Sequence, residues 1–196
     1  MKAKDWKLSW HGAPHRGATV IIGIFDGVHR GHQRIIEKAL THKNPVVALT
    51  FDPHPAAIIA PERKPTELLN IKERIHQLML HGVSSVAVIP FTQEFSQLTA
   101  IEFIDEILVT ELEASAVVVG SNFRFGVRAS GDPELLASQQ KFPVTSVDLE
   151  AELGATVSST RIREAIVNGN IEIAKELLTR PHQLVGMVIH GEKRGR

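Results

Sequence analysis

The 196-residue chain contains no cysteine. That excludes disulfides, thiolate-bound metals and cysteine nucleophiles together, and it fits a reducing compartment. It also lacks a charge of either sign in excess, because 22 Lys and Arg balance 22 Asp and Glu. No global field therefore draws it to nucleic acid or to a membrane surface, and any anion binding must be local. No apolar run approaches the ~20 residues needed to cross a bilayer. Met1–His15 is polar and charged where a signal peptide would be apolar. A cytoplasmic location, with no nucleic-acid or membrane partner, is the expectation. At 43% hydrophobic residues, the chain has enough apolar surface for one compact domain with a real core.

What is present is an alternation of short β-branched runs with helix-period stretches. Thr19–Phe25, Val46–Phe51, Ser85–Pro90, Ala116–Gly120 and Val144–Leu149 read as strands. Three of them are almost wholly apolar, as strands buried on both faces of a parallel sheet are. Helices are expected over Gly31–Leu40, Ile71–His81, from Thr99 through Leu108, Asp132–Gln140, Thr160–Asn168 and Ile171–Thr179. Thr99 with Glu102 forms a capping box, and Gly82 follows its helix as a C′ residue. The order predicts an α/β fold, a doubly wound parallel sheet of about five strands with flanking helices. Ligands of such sheets bind beyond the carboxyl ends of the strands, near the switch in strand order. His54–Asn70 reads as linker-like, and Pro181–Arg196 holds one apolar strand, Leu184–Ile189, with a basic end.

After the first strand the chain runs Gly-Ile-Phe25-Asp-Gly27-Val-His29-Arg-Gly31-His32. The glycine spacing is neither a dinucleotide fingerprint nor a P-loop. His29 and His32 stand three apart at a helix start, so both imidazoles can face one ligand. The helix end adds unpaired N–H groups and partial positive charge. Surface histidines or a zinc site are the competing readings of the pair, and the second lacks a third ligand. A second helix start, Val157-Ser-Ser-Thr-Arg-Ile-Arg163, places two arginines in a first turn. Cations are disfavoured there unless an anion arrives between them and the helix end.

The first stretch resembles the H-x-G-H motif of the nucleotidyltransferase superfamily. The second resembles its S-S-T-x-I/V-R motif. Thr50-Phe-Asp-Pro-His-Pro55 and Gly120-Ser-Asn-Phe-Arg-Phe-Gly126 narrow the resemblance to the adenylyltransferase module of bacterial FAD synthetases, over residues 1–180. That resemblance implies a Rossmann-like nucleotidyltransferase fold and transfer of AMP from ATP to FMN. It assigns His29, His32 and Arg163 to catalysis, and Phe25, Gly27, His29, Gly31, His32, Ser159, Thr160 and Arg163 to ATP. Phe51, His54, Asn122, Arg124 and Phe125 fall to FMN. Relatives often carry a basic residue where Thr156 stands and Asp where Asn122 stands. Residues 181–196 resemble the first segment of the riboflavin kinase barrel that follows in the family. The P-T-A-N segment of that barrel is absent, so no kinase activity is expected here, and a separate riboflavin kinase would supply FMN.

Catalysis on this reading is alignment plus charge stabilisation. A phosphate monoester is largely dianionic at neutral pH and needs no general base. The two histidines would neutralise the α-phosphate region, and Ser159, Thr160 and Arg163 would hold the departing pyrophosphate. Mg²⁺ would bridge the ATP phosphates, with no protein ligand assigned. An adenylyltransferase for another phosphate acceptor, or a nucleotide- or flavin-binding sensor without chemistry, are the alternatives.

Overall fold

The structure is a computed structural model and describes residues 7–148, 151–152 and 155–187. Its main sheet has strands β1 (Ser9–His11), β2 (Thr19–Ile22), β3 (Val46–Asp52), β4 (Ser85–Pro90), β5 (Ala116–Gly120) and β6 (Val144–Val147). They lie in the order β1-β4-β3-β2-β5-β6. Five are parallel, and β1 pairs antiparallel with β4. The doubly wound expectation holds. The chain leaves β2 toward β3 and β4, then crosses back to β5 and β6, so the switch point lies between β2 and β5. The sixth strand was not legible, because three mostly exposed residues carry too little alternation to register as a strand. A two-residue hairpin, β7 (Ala151–Glu152) with β8 (Ala155–Thr156), follows. Leu149 of the expected fifth strand lies outside the described residues.

Helices α1 (Arg30–Leu40) and α3 (Ile71–Leu80) form where the sequence places them; of the apolar stripes expected on them, Ile35, Ile36, Ala39, Ile75 and Leu78 are buried, while Leu40 and Met79 are exposed. Their buried faces meet Ile21, Val46, Ala48 and Val86 on one side of the sheet. The opposite side is covered by Phe103, Ile104, Ile107 and Leu108. These follow a short α4 (Ala100–Glu102) closed by the expected Thr99–Glu102 capping box. From Phe103 to Glu111 the ladder widens to a π-helix. There Thr110 Oγ1 also donates to Asp105 O at 2.7 Å, which satisfies a carbonyl one step out of α register. Helix α5 (Pro133–Ser138) starts at Asp132, whose Oδ1 accepts from Leu135 N at 2.8 Å.

The stretch read as linker-like contains a helix, α2 (Pro55–Ile59). It is too short and too proline-rich for periodicity to find. Helices α6 (Ser159–Val167) and α7 (Ile171–Leu178) form a small core of their own with Leu68 and Val157. After α7, residues 181–187 carry no strand, and Leu184, Val185 and Met187 are exposed. The rest of the expected apolar strand and the basic end lie outside the described residues.

Candidate functional site

Strand β2 stops at Ile22, short of the expected Phe25, because the chain then turns through unusual backbone. Phe25 has φ 53° and Val28 φ 41°, with Gly27 at φ 88° between them. Positive φ at a β-branched residue is a genuine outlier, and such positions cost on the order of 1–3 kcal/mol each. Both side chains are fully buried, so surrounding contacts must impose the turn. Its product is His29, the N-cap of α1, whose side chain makes no capping hydrogen bond and is free to act elsewhere.

The His29 and His32 rings stack, with centroids 3.7 Å apart and planes 18° from parallel. Phe25 meets His32 edge-on at 5.3 Å. This stacking depends on Gly31: a Cβ there would lie 3.2 Å from His29 Cε1 and 3.3 Å from Nδ1. Gly31→Ala should therefore displace the His29 ring by a few tenths of an ångström and cut turnover about tenfold. Small misplacements at a reacting centre cost this much or more. Steady-state kinetics beside a melting curve tests it, and an unchanged kcat would remove the steric account of Gly31.

Burial pushes the His29 pKa down from 6.5 to about 4, with Asp26 opposing and Arg163 and Arg180 adding to the depression. His32 is pushed well below 6.5 by burial first, then by His29 and Arg74. Both Nδ1 atoms are buried and lack hydrogen-bond partners. Both imidazoles are thus neutral at pH 7 in the free protein, and they can offer hydrogen bonds in place of charge. Between pH 6.5 and about 4 the unfolded chain binds protons that folded His29 refuses. Stability must therefore fall as pH falls through that window, by about 3 kcal/mol in full. His32 and His54 shift in the same direction. Urea unfolding at pH 7.5 and 4.5 should show the loss, and it should shrink in His29→Asn.

The second helix start docks directly on this turn. Ser158 caps α6 by accepting from Arg161 N at 3.2 Å. Ser159 Oγ donates to Asp26 O at 2.7 Å. Arg163 Nη2 bonds the Asp26 carboxylate, and its Nε donates to Thr66 O at 2.6 Å. A Cβ on Gly31 would stand 3.8 Å from Val157 O. The two motifs are therefore neighbours. Arg163, though, uses two donors within the protein where a free phosphate clamp was expected. Thr160 lies exposed in the first turn of α6.

Beyond the carboxyl ends of β2 and β5, at the switch point, opens a cavity of about 630 Å³. Phe51, His54, Asn122, Arg124 and Phe125 all line it, as does His32. His29 does not. The cavity wall is mainly aromatic: Phe51, Phe91 and Phe95 pack edge-on or tilted with centroids 5.5–6.0 Å apart. Its charged side chains are Arg124 and Arg128, with no carboxylate among the lining residues. His54 caps α2 through Nδ1, which accepts from Ala56 N at 3.1 Å. Arg124 Nη1 donates to Phe123 O at 2.7 Å. Gly126 and Gly131 fit where a Cβ would collide with Ala100 N at 2.6 Å and with the Phe125 ring at 2.7 Å. A flat apolar slot with two arginines on its wall suits an aromatic ring that carries negative charge.

The family model described as FAD synthetase matches residues 12–161. The chain belongs to the FAD synthetase family. It is 36% identical over 191 residues to a bifunctional riboflavin kinase/FMN adenylyltransferase of Escherichia coli K12, covering 94% of this chain and 61% of the relative. Relatives with the same description from Listeria monocytogenes and Bacillus subtilis are 37% and 33% identical, each across 91% of this chain. The chain thus spans about three-fifths of the length of these curated relatives. A crystal structure from Streptococcus pneumoniae, described as a macrolide-efflux protein, superposes with a TM-score of 0.81 at 32% identity. It covers 94% of this chain and 62% of that one. Among the described residues no helix is long and apolar enough to cross a membrane.

Within this candidate site the structure adds residues that the motifs did not single out. Asp26 is only 2% exposed. Its carboxylate accepts from Leu68 N and Leu69 N at 2.9–3.1 Å besides pairing with Arg163. Arg74 is wholly buried, donates from Nη1 to Phe51 O at 3.1 Å, and lies 3.7 Å from Glu67. A cation at i+3 from Ile71, inside the apolar stripe of α3, was the available signal. Gln33 and Arg180 are the others, and nothing in their sequence neighbourhood marks them.

Proposed function

We propose that the chain transfers AMP from ATP to FMN, giving FAD and pyrophosphate. The observation that carries this reading is the meeting of two helix starts beside one aromatic cavity, with His32 common to the paired imidazoles and the cavity wall. An isoalloxazine ring fits the Phe51–Phe125 slot, and its phosphate then points toward His32. Attack by an FMN phosphate oxygen on the α-phosphorus of ATP forms one P–O bond and breaks the bond to pyrophosphate.

This reading gives the residues the following roles. His29 and His32 donate hydrogen bonds where negative charge grows on the α-phosphate. The start of α6, with Ser159 and Thr160, faces the leaving group. Arg163 supports that charge from its seat on Asp26. Asn122 and Arg124, on the cavity wall, orient the flavin, and Gly27 and Gly31 keep side chains out of the phosphate path. Residues 1–180 make up the transferase unit in this proposal, and 181–196 begin a second segment.

Mg²⁺ would bridge the ATP phosphates, with no protein ligand assigned. The Asp26 oxygens are taken by N–H donors and Arg163, and no group of three or more potential ligands stands together among the described residues. FMN would come from riboflavin phosphorylation by a kinase, in the cytoplasm. The test is incubation of the purified chain with ATP, Mg²⁺ and FMN, followed by chromatography for FAD. FMN titration by flavin fluorescence accompanies it. Binding without FAD would favour a sensor, and no FMN binding would favour another acceptor.

A further inference from the structure

Helix α7 ends on the turn that carries His29. Arg180 Nη2 donates to Gly27 O at 2.7 Å, and its Nη1 donates to Leu178 O at 3.1 Å. From the other side Gln33, buried on α1, donates through Nε2 to Val28 O at 2.9 Å and to Thr179 Oγ1 at 2.8 Å. Thr179 closes α7 in the left-handed region, at φ 62°. The two carbonyls held in this way, of Gly27 and Val28, lie inside the turn that carries positive φ at Phe25, Gly27 and Val28.

We propose that Arg180 and Gln33 are positioning residues that lock this turn for phosphate transfer. A trans peptide sets its N–H opposite its C=O. Gripping Val28 O therefore fixes the direction of the His29 amide, away from α7, and gripping Gly27 O fixes Val28 N–H on Phe25 O, 3.0 Å away. The clamp holds the entry of α1 and the His29 ring at the angle that lets it stack on His32. It ties the end of α7 to the reacting centre over 153 positions of sequence. Neither residue lines the aromatic cavity. The inference rests on the AMP-transfer reading for its kinetic consequence, and on geometry alone for its structural one.

The experiment uses the whole chain with Arg180→Met, Gln33→Leu and Arg180→Lys. The first two should lower kcat tenfold or more while the KM for FMN stays within twofold. Arg180→Lys, which can still reach Gly27 O, should recover part of the rate. In NMR spectra of histidine-labelled protein, Arg180→Met should move the His29 amide resonance and raise the imidazole titration midpoint, because a nearby cation is gone. Unchanged kcat per folded molecule, or a drop in melting temperature alone, would overturn the proposal. Should the parent chain make no FAD, the transfer reading fails by itself. The clamp is then decided by the His29 resonances, which move if it is correct and stay if it is not.

Discussion

His29→Ala should lower turnover by a hundredfold or more while leaving FMN binding nearly unchanged. Removing one fixed donor from a site where negative charge develops typically costs about 3 kcal/mol of barrier. Two features make the substitution informative. His29 is 4% exposed but makes no capping bond, so its loss leaves the start of α1 without a missing partner. It also stays outside the aromatic cavity, so the flavin loses no contact. His32 borders both regions, and its replacement should disturb rate and flavin affinity together. Stopped-flow or steady-state FAD formation, read beside FMN fluorescence titration, separates the two. A parental rate in His29→Ala would end the role given to this imidazole.

Asp26→Ala should be strongly destabilising. It strips the acceptor from Leu68 N and Leu69 N and leaves Arg163, whose side chain is 18% exposed, without its carboxylate. Breaking a buried pair from one side costs about 3–5 kcal/mol. For a chain of this size that is a fall in melting temperature on the order of 10 °C. Asp26→Asn keeps an acceptor for the two amides and should lose less. A double-mutant cycle with Arg163→Met isolates the pair. Additive losses, or an unchanged melting curve for Asp26→Ala, would show that the carboxylate is not what joins the two motifs.

The sheet was readable because buried parallel strands announce themselves as unbroken apolar runs. Val46–Asp52, Ser85–Pro90 and Ala116–Gly120 were located to within a residue. Ser9–His11 was invisible because an edge strand paired on one side needs no such run, and Pro55–Ile59 because one helical turn has no period. At the candidate site, the spacing of His29, Gly31 and His32 was legible as a cluster, since a helix start brings residues three apart onto one face. Arg163 was found but its partner was not: Asp26 sits in the same motif, yet its bonds to residues 68, 69 and 163 exist only after folding. Gln33 and Arg180 escaped for the same reason. The expectation that two histidines bring positive charge also needed the structure, because burial, which leaves them neutral, cannot be read from spacing.

Asp26 meets Arg163 across 137 positions, and Gly27 meets Arg180 across 153. During synthesis the central strands and the aromatic slot emerge first, while both braces of the turn leave the ribosome near the end of this segment. A nascent chain can therefore shape its aromatic cavity well before it can hold its imidazoles in register.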